Sequence, residues 1–280
     1  MTHTPSSRRS ACSPRPCSTF QRIDADLALA LELADAADAL ALARFRADDL
    51  IVETKPDLTP VTEADRAVER MMRDRLGRER PADAFIGEEF GAEGGGERCW
   101  IVDPIDGTKS YARGIPVWAT LIALQEGPEL TLGVVSAPAL GARWWAQRGA
   151  GAFRDGRRVH VSQVARLADA HLAYDSVSDF EAVGRSDAFS ALARQCWRTR
   201  GFGDFWSHVM VADGSIDVAV EVGGLHLWDV AAPLVIVEEA GGRLTDFTGA
   251  ARADGGDAIT TNGLLHDDVL AAFSTPVPDS

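Results

Sequence analysis

The amino-acid sequence predicts an α/β fold, α+β layered, in which sheets and helices stack on one another. Three observations carry that expectation. Short apolar runs of strand character alternate along the chain with segments whose apolar residues recur at helical spacing. Of the 280 residues, 46% are hydrophobic and 25% charged, a balance that supports a sizeable core. Several apolar runs end abruptly in a carboxylate, which places acids at the ends of elements. The length suits one large domain or two intimately packed halves.

Taken in order, residues 1–22 are polar, basic and rich in Pro and Ser. They lack the apolar core of a signal peptide and are expected to form a disordered tail without chemistry. Over 23–47, Leu27, Leu31, Ala34, Ala37, Ala41 and Phe45 recur at helical spacing, which predicts a long amphipathic helix. Two prolines in 53–60 break it. Thr62 then reads as the cap of a second helix running through Leu76, with Asp65 at its third position. On that pattern alone Asp65 is simply a capping carboxylate.

Residues 84–87 predict a short strand leading into Glu88 and Glu89, and 92–98 a Gly-rich acidic surface loop. Strands follow at 100–103, 118–124 and 130–136. Residues 144–147 and 149–153 predict a hairpin with a glycine turn. Trp144 and Trp145 alternate faces, so one enters the core and the other meets an interface. A soft boundary near Val164 separates an N-terminal half, 23–164, from a C-terminal half, 165–280. In the latter, strands are expected at 172–174 and 216–221, and helices at 188–196, 205–213 and 228–240. Gly241 and Gly242 end the last helix through a positive-φ cap. Residues 243–246 make a strand and turn.

The formal net charge of −14 argues against a nucleic-acid partner, which calls for a basic face. It leaves a small phosphate ester open, because bound cations invert the local field. No run of about 18 apolar residues predicts a membrane span. The four cysteines, Cys12, Cys17, Cys99 and Cys196, show no zinc-knuckle spacing. They fit a reducing, cytoplasmic setting without structural disulfides.

The run Trp100-Ile101-Val102 feeds Asp103 and Asp106, followed at once by Gly107 and Thr108. Two close carboxylates repel unless a cation or a shared proton lies between them. Hard oxygen donors suit Mg²⁺ or Mn²⁺. None of the six histidines falls at a metal-like spacing. Gly107 allows a sharp turn and Thr108 supplies a hydroxyl. Glu88 follows Phe85-Ile86-Gly87, and Asp229 follows Leu227-Trp228. Four such acids make a metal-site pattern if the fold brings them together.

Gly87-Glu88-Glu89, then Asp103-Pro104-Ile105-Asp106-Gly107-Thr108, then Trp228-Asp229-Val230-Ala231-Ala232 resemble, in this order, the three signatures of the inositol monophosphatase family. These are lithium-sensitive, Mg²⁺-dependent phosphatases, and the resemblance extends from about Asp24 to Phe273. It implies an alternating α-β-α-β-α sandwich, two to three metal ions per site, and a homodimer. Glu88, Asp103 and the Ile105 carbonyl resemble the ligands of a first metal. Asp103, Asp106 and Asp229 resemble those of a second, and Glu88 also reaches a third. Thr108 with Asp65 is similar to the pair that orients and deprotonates the attacking water, a catalytic set to which Glu88 is added. Gly107 and Thr108 N–H groups resemble a phosphate cradle. Lys55 resembles a mobile-loop lysine or is an exposed loop residue, and Glu89 is a supporting or a surface acid. The N-terminal half thus carries the metal motifs, and the C-terminal half completes the site and its substrate pocket.

Substrate choice falls to the second half. At Arg200-Gly201-Phe202-Gly203-Asp204-Phe205 the chain departs from the family pattern by placing an acid at Asp204. A pocket carboxylate there favours a cationic ester over a neutral polyol, whereas a capping carboxylate has no such consequence. The stretches at 54–66, 109–119, 136–140 and 261–266 look like the actinobacterial histidinol-phosphate phosphatases within this family. That resemblance implies Asp204 and Glu221 as readers of the ammonium and imidazole, with Arg200 and Asp229 also at the substrate, and places the chain in histidine synthesis. Arg113 belongs to the same texture. An inositol-1-monophosphatase or another sugar-phosphate phosphatase is the alternative. A metal-binding regulatory protein is disfavoured because no ligand position is missing.

Overall fold

A computed structural model describes residues 24–56 and 59–273. The tail expected over 1–22, the first residue of the 23–47 helix, Cys12 and Cys17 lie outside the described residues. Helix α1 (Ala25–Arg44) begins at Asp24, whose carboxylate accepts from the Asp26 N–H. Phe45 is already extended, so the helix stops earlier than its periodicity predicts, and Leu31 is only half-buried. The proline-broken stretch forms a hairpin, β1 (Val52–Thr54) with β2 (Pro60–Thr62). Helix α2 (Glu63–Glu79) starts from a capping box between Thr62 and Asp65 and runs past Leu76.

Strand β3 (Ala84–Gly87) pairs antiparallel with β4 (Gly91–Glu93), so part of the expected surface loop is a strand. Strand β5 (Arg98–Asp106) is longer than expected and leads into α3 (Thr108–Ala112). Then come β6 (Ala119–Glu126), β7 (Glu129–Ala137), β8 (Ala142–Gln147), β9 (Gly151–Arg154) and β10 (Arg157–Val159). Beyond them lie β11 (His171–Tyr174), α4 (Val177–Ala182), α5 (Ser186–Gln195), β12 (Arg198–Gly201) and α6 (Asp204–Ala212). The chain closes with β13 (Val218–Val222), α7 (Leu227–Glu239), β14 (Arg243–Thr245), β15 (Asp257–Thr261) and α8 (His266–Phe273). Gly241, at φ +94°, follows α7 as expected, and Gly242 does not share that conformation.

An eight-stranded sheet runs β10-β9-β8-β7-β6-β5-β3-β4, and a five-stranded sheet runs β12-β11-β13-β15-β14. Helices α1 and α2 cover the outer face of the larger sheet. Helices α6 and α7 fill the space between the sheets, and α5 and α8 cover the far face of the smaller one. This is the α-β-α-β-α sandwich. Helix α7 is apolar almost all round, with Val230 to Val237 buried, as a helix enclosed between two sheets requires. Trp100, Trp118 and Trp144 are fully buried, each such side chain contributing about 2–3 kcal/mol. Trp144 is therefore the core member of its pair, while Trp145 is half-buried and stacks on Phe153 at 4.2 Å.

Candidate active site

In the larger sheet β3 and β5 run parallel, with Gly87 opposite Val102, so Glu88 and Asp103 emerge at the same end. Residues three apart on a regular strand face opposite sides. Here the register with β6 shifts between Asp103 and Asp106, and the irregularity turns both acids into one site. Asp229 arrives from the first turn of α7, its Oδ2 accepting from the His226 N–H at 2.7 Å. One carboxylate oxygen each from Asp103, Asp106 and Asp229 lies within 4.8 Å of the others.

Burial, followed by the charges of Glu88, Asp106 and Asp229, holds Asp103 well above the usual carboxylate range. Burial and the charges of Asp204 and Asp229 do the same to Asp106. Asp229 is pushed up to about 7, mainly by burial and against the His226 N–H, which favours its charged form. An all-oxygen set that repels itself this strongly fits a hard divalent cation, which removes the repulsion.

Glu88 lies outside that close triple. It lines the same cavity, of about 130 Å³, together with Asp103, Ile105, Asp106, Gly107 and Thr108. Lys55, delivered by the turn of the β1–β2 hairpin, pairs with Glu88 at 2.8 Å and Glu89 at 2.6 Å. Burial opposes the lysine's charge, but the two carboxylates outweigh it and raise the ammonium above its ordinary value. Glu89 is 4% exposed in its side chain, which makes it a buried partner of Lys55 and not a surface acid. Burial above all takes it to about 7.

Thr108 opens α3 after Gly107, which adopts φ +81° and also admits the Asp204 carboxylate, 3.2 Å from where a Cβ would stand. The Thr108 hydroxyl is 2.9 Å from the Ile105 carbonyl and 3.2 Å from Asp65 Oδ1. Asp65 Oδ2 accepts from the Thr62 N–H at 2.9 Å. Asp65 thus both caps α2 and reaches Thr108. Burial pushes it up to about 6 despite the Thr62 hydrogen bonds.

A second cavity of about 150 Å³ adjoins the first, sharing Asp106, Lys109, Asp204 and Asp229, and adding Asp175, His208 and Glu221. Asp204 begins α6 at φ +50°, uncommon for a residue with a side chain, and makes no capping hydrogen bond. The cap comes instead from Asp106 Oδ2, which accepts from the Phe205 N–H at 2.6 Å. Burial and the charges of Asp175 and Glu221 push Asp204 up to about 7.

One expected site residue, Arg200, is not brought to the site, and Arg113 of the family-like texture also stays away from it. Arg200 sits exposed on β12, donating to the Thr199 carbonyl at 2.8 Å, because its turn is in fact the end of an edge strand. Arg113 is exposed at the end of α3 and lines neither cavity. Sequence reasoning missed Lys109, Asp175 and His208, which line the cavities, and Glu69, which accepts from the N–H groups of Glu89 and Phe90 in the turn after Glu88. Adjacency to Thr108 was the only signal for Lys109. A larger cavity of about 420 Å³, between α1 and β8, carries none of these acids.

Among the described residues no helix is long and apolar enough to cross a membrane, and Cys99 and Cys196 are free thiols. The chain is 54% identical to a histidinol-phosphatase of Streptomyces coelicolor, over 88% of this chain and 95% of that one. It is 55% identical to a histidinol-phosphatase of Mycobacterium tuberculosis, over 89% and 98% respectively. Its fold superposes on the extragenic suppressor protein suhB of Bartonella henselae with a TM-score of 0.84 at 27% identity, covering 91% of this chain and all of that one. It also superposes on the Thermotoga maritima IMPase with a TM-score of 0.79 at 34% identity, covering 89% and 96%. The inositol monophosphatase family model matches residues 23–275, the span that supplies every acid of both cavities, and the chain belongs to that family.

Proposed function

We propose that this protein is a Mg²⁺-dependent histidinol-phosphate phosphatase, which cleaves L-histidinol phosphate to L-histidinol and inorganic phosphate. The observation that carries the reading is the second cavity. Asp175, Asp204 and Glu221 wall it directly beside Asp106 and Asp229. Such a wall suits an ester that carries an organic cation. The identities of 54% and 55% to proteins named histidinol-phosphatase support it.

The oxygens of Asp103, Asp106 and Asp229, with Glu88 and the Ile105 carbonyl, are the donors that would hold Mg²⁺ or Mn²⁺. Held by these residues, two to three divalent ions would supply positive charge against the phosphate oxygens, a lowered pKa for a water and stabilisation of the leaving alkoxide. Thr108 orients the attacking water, and Asp65, in contact with its hydroxyl, takes up the proton. The Gly107 and Thr108 backbone, on the wall of the first cavity, faces the phosphate. Asp204 and Glu221 receive the ammonium and imidazole, which orients the ester for in-line attack. The reading takes the enzyme as a cytoplasmic homodimer, with Trp145 on the surface a second copy covers.

The second reading, a polyol-phosphate phosphatase, draws on a Thermotoga maritima relative named fructose-1,6-bisphosphatase/inositol-1-monophosphatase, 37% identical over 78% of this chain. Phosphate release with Mg²⁺ from L-histidinol phosphate, inositol 1-phosphate and fructose 1,6-bisphosphate separates the two. The first reading expects kcat/KM at least about tenfold higher for L-histidinol phosphate. Equal or higher values for the polyol esters would establish the second.

A further inference from the structure

Glu221, on β13, is 3% exposed, and its two carboxylate oxygens have different surroundings. Oε2 lies 3.3 Å from His208 Nε2. Oε1 is buried and has no hydrogen-bond partner. His208, on α6 and 1% exposed, places its other ring nitrogen, Nδ1, 2.8 Å from Thr260 Oγ1. Thr260 is fully buried on β15, the neighbour of β13 in the smaller sheet. The imidazole therefore bridges from Thr260 on one strand to Glu221 on the next.

The chemistry assigned above makes no use of His208, yet it lines the second cavity together with Glu221, Asp204 and Asp106. A buried carboxylate oxygen without a donor is costly. Four further acids, Asp106, Asp175, Asp204 and Asp229, share this cavity with apolar residues and glycines, and among the described residues Lys109 is its one Lys or Arg lining residue. A ligand that satisfies Oε1 and also offsets the surrounding charge is a cationic N–H donor; a neutral hydroxyl does only the first.

We propose that His208 is the positioning residue of a cation subsite: it holds Glu221 through Nε2 and Oε2, and leaves Oε1 to accept from the ammonium of an amino-alcohol phosphate. The subsite deepens the reading of the protein as a histidinol-phosphate phosphatase and rests on it. The tautomer with its hydrogen on Nε2 serves both contacts, with the Thr260 hydroxyl donating to Nδ1. Held in this way, Glu221 loses little rotamer freedom on binding, so the gain shows in KM.

The test compares kcat and KM for L-histidinol phosphate and inositol 1-phosphate, with Mg²⁺, in the wild type and in His208→Phe, His208→Gln, Thr260→Val, Glu221→Gln and the His208→Phe/Glu221→Gln double variant. His208→Phe and Thr260→Val are expected to raise KM for L-histidinol phosphate about tenfold more than for inositol 1-phosphate. His208→Gln, which keeps a donor, recovers part of the loss. The double variant is no worse than Glu221→Gln alone, as two residues acting through one contact require. Should His208→Phe not fold, Thr260→Val carries the same comparison at nearly unchanged volume. Equal losses on both esters, or an additive double variant, overturn the role of His208 while the wild-type preference stands. A wild type without preference for L-histidinol phosphate overturns the functional reading and the subsite together.

Discussion

Asp106 does two jobs with one side chain. Its Oδ2 caps the first turn of α6, and the carboxylate belongs to the triple with Asp103 and Asp229. Asp106→Asn keeps an oxygen for the Phe205 N–H but removes a charge. The expected outcome is a fall in kcat on the order of 10³-fold, about 4 kcal/mol of transition-state stabilisation. The melting temperature without divalent cations should not fall, because a mutually repelling buried charge is gone. Steady-state kinetics beside a thermal melt check both, and retained activity would refute the metal assignment. Asp204 gives the complementary case. Asparagine tolerates its φ of +50°, so Asp204→Asn tests charge without adding strain. The variant should lose about tenfold in preference for L-histidinol phosphate over inositol 1-phosphate. Preference that survives intact would reduce Asp204 to a wall residue. The sequence alone left Asp204 between a cap and a pocket group. That ambiguity was real, because any acid at a helix start satisfies the capping pattern. Only the arrival of Asp106 at the same N–H resolves it.

At the scale of elements, the turn from β3 to β4 presents Glu88 and Glu89, and its support is hidden in α2. Glu69, 0% exposed, accepts from the N–H groups of Glu89 at 2.7 Å and Phe90 at 3.1 Å, and pairs with Arg73 at 2.8 Å. A Cβ on Gly87 would lie 2.2 Å from Glu69 Oε1, so the glycine is what lets the carboxylate reach the turn. Glu69→Ala leaves two backbone donors without their acceptor, while Arg73 keeps Glu93 at 3.0 Å and the Gly91 carbonyl. It should cost about 2–4 kcal/mol in denaturant unfolding and weaken Mg²⁺ binding measured by calorimetry. Unchanged Mg²⁺ affinity would show that Glu88 holds its position without this support. Helical periodicity places Glu69 on the buried side of α2 without saying what it meets. The β1–β2 hairpin was equally illegible: its residues are exposed on β1, so no apolar alternation announces it. Yet it brings Lys55 to Glu88 and Glu89.

Across the whole molecule, two buried sites give stability opposite dependences on pH. His266 is fully buried, with Nε2 3.0 Å from Thr245 Oγ1 and Nδ1 3.0 Å from Thr261 Oγ1. Burial lowers it to about 4 from an ordinary value of 6.5. Its contribution is complete above the unfolded value and is lost as pH falls from 6.5 toward 4, a change of about 3 kcal/mol at most. Asp229 runs the other way. Its native value of about 7 exceeds the unfolded 3.8, so stability is lost as pH rises through that window when no cation is bound. In EDTA, His266→Asn should therefore show a melting temperature that falls more steeply from pH 4 to 7 than the wild type. Saturating Mg²⁺ should raise the wild-type melting temperature more at pH 8 than at pH 5; an equal shift at both would remove the acid cluster as its origin. The layered class, most helices and strands, and the acids at the ends of β3, β5 and at the start of α7 were all readable from sequence. Periodicity and abrupt carboxylates are local properties, carried by neighbours in the chain. What tertiary structure alone decided is which of those acids bring their oxygens within 4.8 Å of one another, that Asp106 and not Asp204 caps α6, that Arg200 stays outside, and that His208 joins Thr260 to Glu221. Each of these is a meeting of side chains from elements far apart in sequence, set by the register of two sheets and the two helices packed between them.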